Sequence, residues 1–240
     1  MNSSHQDRHT AELHQMQRAI AGLLLYQDIL DNEVGKTLIK LLQAIANGDR
    51  SQGNALTCLA AYGSFFKALA DQNCSWEEYL IDRLLQAENP FSLQVQKVAS
   101  GDSTVAPETR LSPALITAAR QDLASLHVIY TCGQYIPQWV GQIGGKPVCW
   151  LECNISEQQH SIVKALRSQN WGELADDLAA YYQQAGVGIF GKYRALRWQG
   201  QLWGIPYPDR VQIDSLIGYE HQKAALIKNT GSLQIGRAHV

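Results

Sequence analysis

Between residues 30 and 130 the apolar positions recur every three or four residues, the period that gathers them on one stripe of an α-helix. Val34, Leu38, Leu41, Leu42 and Ile45 make the first stripe, and Asn47-Gly48 follows with two residues that tolerate a left-handed C-terminal cap. Leu56, Leu59, Gly63, Phe66 and Leu69 make a second. Ser75-Trp76-Glu77-Glu78 holds the residues of a capping box, in which a serine hydroxyl and a glutamate three positions on satisfy each other's free amides; it predicts a third helix running to Asn89-Pro90. Ser112-Pro113 sets a capping residue and a proline at a fourth helix start, with Leu115, Ala119, Leu123 and Leu126 on one face. Residues 1–10 are polar and are expected to form a disordered tail, and Ser100 to Arg110, polar and containing Gly and Pro, reads as an internal loop.

The pattern changes in the second half. Lys146-Pro147 leads into Val148-Cys149-Trp150-Leu151, a short strand-forming run, and Ser156 to Gln159 opens another capped helix. Leu174, Leu178 and Tyr181 mark a further helix, closed by Gly186. Tyr193 to Trp198 and Gln201 to Ile205 flank Gln199-Gly200 and read as a β-hairpin. The expected class is α+β: a predominantly helical N-terminal domain over residues 11–210, with a short strand and a hairpin.

Composition narrows the function classes. The chain has 240 residues, 45% of them hydrophobic and 18% charged, enough to bury one sizeable core or two modest ones. A formal net charge of -2 gives no overall attraction for nucleic acid or an anionic membrane, so an acidic partner must be bound locally. The start, MNSSHQDRHTAELHQ, has no apolar leader core, and Leu23 to Tyr26 is too short a run to cross a bilayer. Five cysteines, an odd number, fit a reducing compartment. A cytoplasmic location is the expectation.

Several motifs match in letters and fail in context. Gly35-Lys36-Thr37 ends like a phosphate loop, but Leu30 stands where that loop needs its first glycine. Gly186 to Gly191 spells G-x-G-x-x-G, yet a helix precedes it and a hairpin follows, the reverse of the strand-then-helix order that aims a helix N-terminus at a pyrophosphate. Cys132, Cys149 and Cys153 with His127 and His160 lack metal-ligand spacing and read as buried thiols. Arg194, Arg197 and Trp198 could form a small basic-aromatic patch, although the tryptophans read mainly as core and hairpin packing. No G-x-S-x-G or H-E-x-x-H motif occurs, and the seven histidines are scattered.

At the C-terminal end, residue types, order and context agree. Asp214 can cap the turn before Leu216-Ile217-Gly218-Tyr219, Gly218 permits a sharp turn, and Glu220 to Asn229 forms a helix with Glu220 and Lys223 one turn apart. "LIGYEHQKAALIKNT" resembles the segment that precedes the strand and phosphate loop in AAA-type ATPases. With "LLLYQDIL", "AYGSFFKALA", "SWEEYLIDRLLQAENPFS" and "FGKYRALRWQGQLWGIPYPD", the chain from residue 20 to Asn229 resembles the N-terminal part of a bacterial domain-of-unknown-function family of AAA-type P-loop ATP-binding proteins.

The resemblance implies that residues 211–234 are the first segment of a truncated AAA-type α/β ATPase domain. Leu216, Ile217, Gly218 and Tyr219 would then help hold adenine, while ATP phosphates and Mg would be bound by a Walker A loop and an acidic motif that this chain lacks. For this chain alone no cofactor is expected and no activity. The resemblance further implies homo-oligomers in the intact parent, since such ATPases often work as rings; the partner expected is an unspecified protein, with no nucleic acid and no membrane indicated by the charge and the apolar runs. "IGRAHV", residues 235–240, resembles a translated sequencing adapter, which would place the end of natural sequence near Gln234. The alternative is a complete, non-catalytic protein-interaction module.

Limited proteolysis checks this layout: the first cuts are expected within residues 100–110. Early cuts within residues 40–90, with 100–110 protected, would contradict it.

Overall fold

The computed structural model describes residues 2–47, 52–99, 111–146, 148, 161–193, 195–205, 207–209 and 217–234. The chain forms two compact units, residues 1–192 and 193–240. The hairpin therefore falls in the second unit, whereas the sequence pattern suggests a boundary after residue 210.

In the first unit, α1 (Asn2–Ala21) begins at Asn2, ahead of the start expected after residue 10. A short segment and a 3-10 turn (Gln27–Ile29) lead to α2 (Glu33–Ala46). Asn32 caps α2, its side-chain oxygen accepting from the Gly35 amide at 3.1 Å, and Val34, Leu38, Leu41 and Leu42 are buried as their spacing predicts. The following helix, α3 (Gln52–Asp71), buries a different face from the expected one. Cys58, Tyr62, Phe65, Ala68 and Leu69 go inward, while Leu56 and Gly63 are exposed and Leu59 and Phe66 only half-buried. This helix is apolar on more than one side, so periodicity leaves the choice of face open. Packing along α2 and the edge-on contact of Phe65 with Trp76, ring centres 5.7 Å apart, settle it.

Helix α4 (Trp76–Leu85) carries the predicted capping box complete: the Glu78 amide donates to Ser75 Oγ at 3.2 Å, and the Ser75 amide to Glu78 Oε2 at 3.1 Å. It stops four residues before Asn89, and a separate helix, α5 (Pro90–Ala99), starts where the pattern predicts an end. Asn89 Oδ1 accepts from the Phe91 and Ser92 amides, both at 3.0 Å, with Pro90 as the first helical residue. Asn89-Pro90 is therefore a helix start, because proline lacks only an amide that the first turn leaves free in any case.

Helix α6 (Pro113–Gly133) begins at the predicted proline and buries Ala119, Leu123 and Leu126, although the Ser112 hydroxyl makes no capping bond. It lies against α1 and the 3-10 turn Trp171–Glu173. α7 (Ile136–Gln142), α8 (Ser161–Ser168), α9 (Ala175–Ala185) and α10 (Gly188–Lys192) complete the unit, with α5 packed on α9. Gly186 closes α9 with φ +85°, as expected, but the buried tyrosine of that helix is Tyr182, with Tyr181 only half-buried. Of the strand expected at Val148 to Leu151, only Val148 is described: it belongs to no strand, and its carbonyl accepts from the Tyr62 hydroxyl at 3.1 Å. The expected Ser100 to Arg110 loop and Ser156 to Gln159 cap lie outside the described residues.

Two close fits hold the helices in register. A Cβ on Gly133 would lie 2.0 Å from Trp76 Nε1, so only glycine lets α6 approach the fully buried indole. Asp122, on the α6 stripe between Ala119 and Leu123, is also fully buried. Its Oδ1 accepts from the Leu24 amide at 2.9 Å, and its Oδ2 from the Leu25 and Tyr26 amides at 2.6 and 3.0 Å. A carboxylate is tolerated inside a protein only when hydrogen bonds replace its water, and these three amides, 96–98 residues away in sequence, supply that replacement.

The second unit holds the hairpin, β1 (Leu196–Trp198) and β2 (Leu202–Gly204), antiparallel with Leu196 opposite Gly204, Arg197 opposite Trp203 and Trp198 opposite Leu202. Gly200 takes φ +75° in the turn. Helix α11 (Glu220–Gln234) extends past the expected end at Asn229 and contains the expected Glu220–Lys223 pair, 3.4 Å apart. Among the described residues the molecule is thus predominantly helical with one two-stranded antiparallel sheet, and no helix is long and apolar enough to cross a membrane.

Asp122→Ala is expected to lower the unfolding free energy by roughly 2–4 kcal/mol, because it strands three amides, one of them fully buried. Asp176→Ala, which removes only the exposed 3.2 Å pair with Arg120, should leave the urea midpoint almost unchanged. Gly133→Ala is expected to cost about 1–3 kcal/mol by overpacking against Trp76. Equal midpoints for all three variants would show that neither close fit stabilises the fold.

Candidate functional site

The residues singled out for adenine fall at the start of the last helix. Leu216 lies outside the described residues. Ile217 is 89% exposed, Tyr219 is exposed, and Gly218 between them has φ +85°, the left-handed backbone that a sharp turn ahead of a helix demands. These three therefore form an apolar, aromatic-tipped turn at the N-terminus of α11, and Leu226 and Ile227 farther along are 55% and 57% exposed.

The amides and hydroxyl of the two phosphate-loop look-alikes are engaged within the described fold. Gly35 sits in the first turn of α2 with its amide taken by Asn32, and a Cβ there would meet the Leu30 carbonyl oxygen at 2.0 Å. Lys36 pairs with Asp31 at 3.1 Å, and Thr37 Oγ1 donates to the Glu33 and Val34 carbonyls at 2.8 and 3.0 Å. In the G-x-G-x-x-G run the Gly188 amide donates to the Gln86 carbonyl at 3.0 Å and the Gly191 amide to Val187 at 3.1 Å. Its glycines serve the corner between α9 and α10, where Gly191 packs onto the Gly186 carbonyl.

Among the described residues no three His, Cys, Asp or Glu side chains gather as a metal site, and Cys149, Cys153 and His160 lie outside them. Burial pushes the Cys58 and Cys132 thiols up, away from the thiolate form that binds metal or attacks carbon. It pushes His127 down, keeping neutral an imidazole whose ring lies 6.0 Å from Trp171 and 6.4 Å from Tyr130.

The expected basic-aromatic patch divides. Arg197 and Trp198 are neighbours on β1, so their side chains leave opposite faces of the hairpin: Trp198 shares a face with Leu202, and Arg197 shares the other with Trp203. Trp198 is 71% exposed and Trp203 also lies open to solvent. Arg194 lies outside the described residues.

One group of buried polar contacts among the described residues went unseen in the sequence. Beside Asp122, the Tyr26 hydroxyl lies 3.5 Å from that of Tyr182, which donates to the Leu84 carbonyl at 2.7 Å and so can accept from Tyr26. Close by, the Tyr79 hydroxyl reaches Asn32 Oδ1 at 2.5 Å and the Ile29 carbonyl at 3.2 Å. Burial pushes Tyr26 and Tyr79 up to about 12, and Tyr182 well above its ordinary value. Near neutral pH these phenols stay protonated and act as hydrogen-bonding struts. The available signal was Asp122 itself, a carboxylate placed at i+3 from Ala119 on an otherwise apolar stripe.

The phenols predict an alkaline limit. An unfolded tyrosine ionises near 10, while Tyr26 and Tyr79 in the folded chain resist to about 12, so the folded-state pKa is raised. Stability is then fully present below pH 10 and is lost as pH rises from 10 to 12, by roughly 2–3 kcal/mol for Tyr26 alone. Helical circular dichroism should collapse in this window together with the last rise in tyrosinate absorbance, and Tyr26→Phe should move the collapse to higher pH. Complete tyrosine ionisation near pH 10 with helicity intact would overturn the assignment.

In comparisons with known proteins, the chain matches no family description, no curated protein and no solved structure.

Proposed function

We propose that this chain is the N-terminal part of an AAA-type ATP-binding protein: a helix-rich domain over residues 11–210 followed by the segment that leads into a nucleotide domain. The observation that carries the reading is the local build of the second segment. Gly218, in the left-handed region, sets Ile217 and Tyr219 on a sharp turn, and α11 then presents Leu226 and Ile227 more than half exposed. Adjacent apolar side chains left open in this way suit a helix that a further layer of structure covers. In the intact protein that layer would be the nucleotide domain's sheet, with Leu216, Ile217, Gly218 and Tyr219 against adenine.

The described residues fit only part of the nucleotide. An apolar turn can contact a base, but the Gly35, Gly188 and Gly191 amides and the Lys36 ammonium of the two phosphate-loop look-alikes already have partners within the fold. No step of phosphoryl transfer is assigned to this chain. In the whole protein, ATP and Mg would be held beyond Gln234, and turnover would move the N-terminal domain against a protein partner within a homo-oligomer in the cytoplasm. A second reading, a protein-interaction module without catalysis, is favoured by one observation, the exposed Trp198 and Trp203 on the hairpin.

Calorimetric titration with Mg-ATP tests the proposal. Stacking one base is worth about 1–3 kcal/mol, short of the roughly 4.1 kcal/mol that corresponds to millimolar affinity. The 240-residue chain is expected to bind no tighter than about millimolar and to hydrolyse nothing. The same gene read past Gln234 is expected to encode a G-x-x-x-x-G-K-[ST] loop, and the longer protein to bind at micromolar concentration. Micromolar binding by the shorter chain would require a nucleotide site elsewhere, and an in-frame stop codon directly after Gln234 would favour the interaction module.

A further inference from the structure

We draw no further inference here: the strongest candidate, the β1–β2 hairpin that exposes Trp198 and Leu202 on one face and Trp203 on the other, is an unpartnered apolar surface, and nothing in the structure shows what covers it.

Discussion

The buried carboxylate of Asp122 is the constraint around which the helical unit is arranged. Withdrawing it from water costs several kcal/mol, and only close, well-aimed donors offset that cost. The amides of Leu24, Leu25 and Tyr26 are such donors, but they serve only if the chain leaving α1 bends so that three successive N–H groups turn to one side, beside the middle of α6. One side chain thereby fixes both the end of one helix and the height at which another crosses it. Residues 27–32 follow from that placement. Tyr26 points to Tyr182 on α9, the Ile29 carbonyl and Asn32 side chain meet Tyr79 on α4, and Asn32 caps α2. Five helices thus converge on one short connector.

Polar bonds fix positions in this unit, and apolar packing supplies most of the stabilisation. Trp76, Trp171, Phe65, Leu38, Leu41 and Leu42 of α2, and Leu80 and Leu84 of α4 are almost wholly removed from water, and burial of each large side chain contributes on the order of 1.5–3 kcal/mol. Such burial is non-directional and would tolerate many arrangements. Gly133 limits them by letting α6 reach the Trp76 indole, whose Nε1 donates to the Ile129 carbonyl at 3.4 Å. The Trp171 indole donates to the Leu166 carbonyl at 2.6 Å. In both cases the ring fills the core while its polar edge is satisfied by a nearby helix carbonyl.

The segment from Tyr193 onward is built differently. Its hairpin is three residues long on each strand and bears tryptophans on both faces, and α11 is exposed along most of its length. A two-stranded ribbon and a single helix gain little from their own contacts and depend on a larger body for stability. That contrast, between helices whose polar groups are tied inward and elements whose apolar groups face outward, motivates the proposal that this segment leads into a domain it does not itself complete.

What the sequence determined by itself was local. The Ser75 capping box, the Pro113 start, the Gly186 stop, the Gly200 turn and the left-handed Gly218 each depend on a few neighbouring residues, and each stands where its chemistry places it. Such signals are legible because a cap or turn closes its hydrogen bonds within four or five positions. Choices among equally apolar surfaces belonged to tertiary structure. Whether α3 buries Leu56 or Cys58, and whether α9 buries Tyr181 or Tyr182, depends on partners tens of residues away, which hydrophobic periodicity does not encode. Asn89-Pro90 could equally end one helix or begin the next until the Ser92 and Phe91 amides turned toward Asn89. Asp122 stands out in sequence only as a carboxylate on an apolar helical stripe, with nothing nearby to show what would satisfy it. Only the fold, by bringing three amides to it from the far end of the chain, made burying its charge tolerable and so made it the centre of the structure.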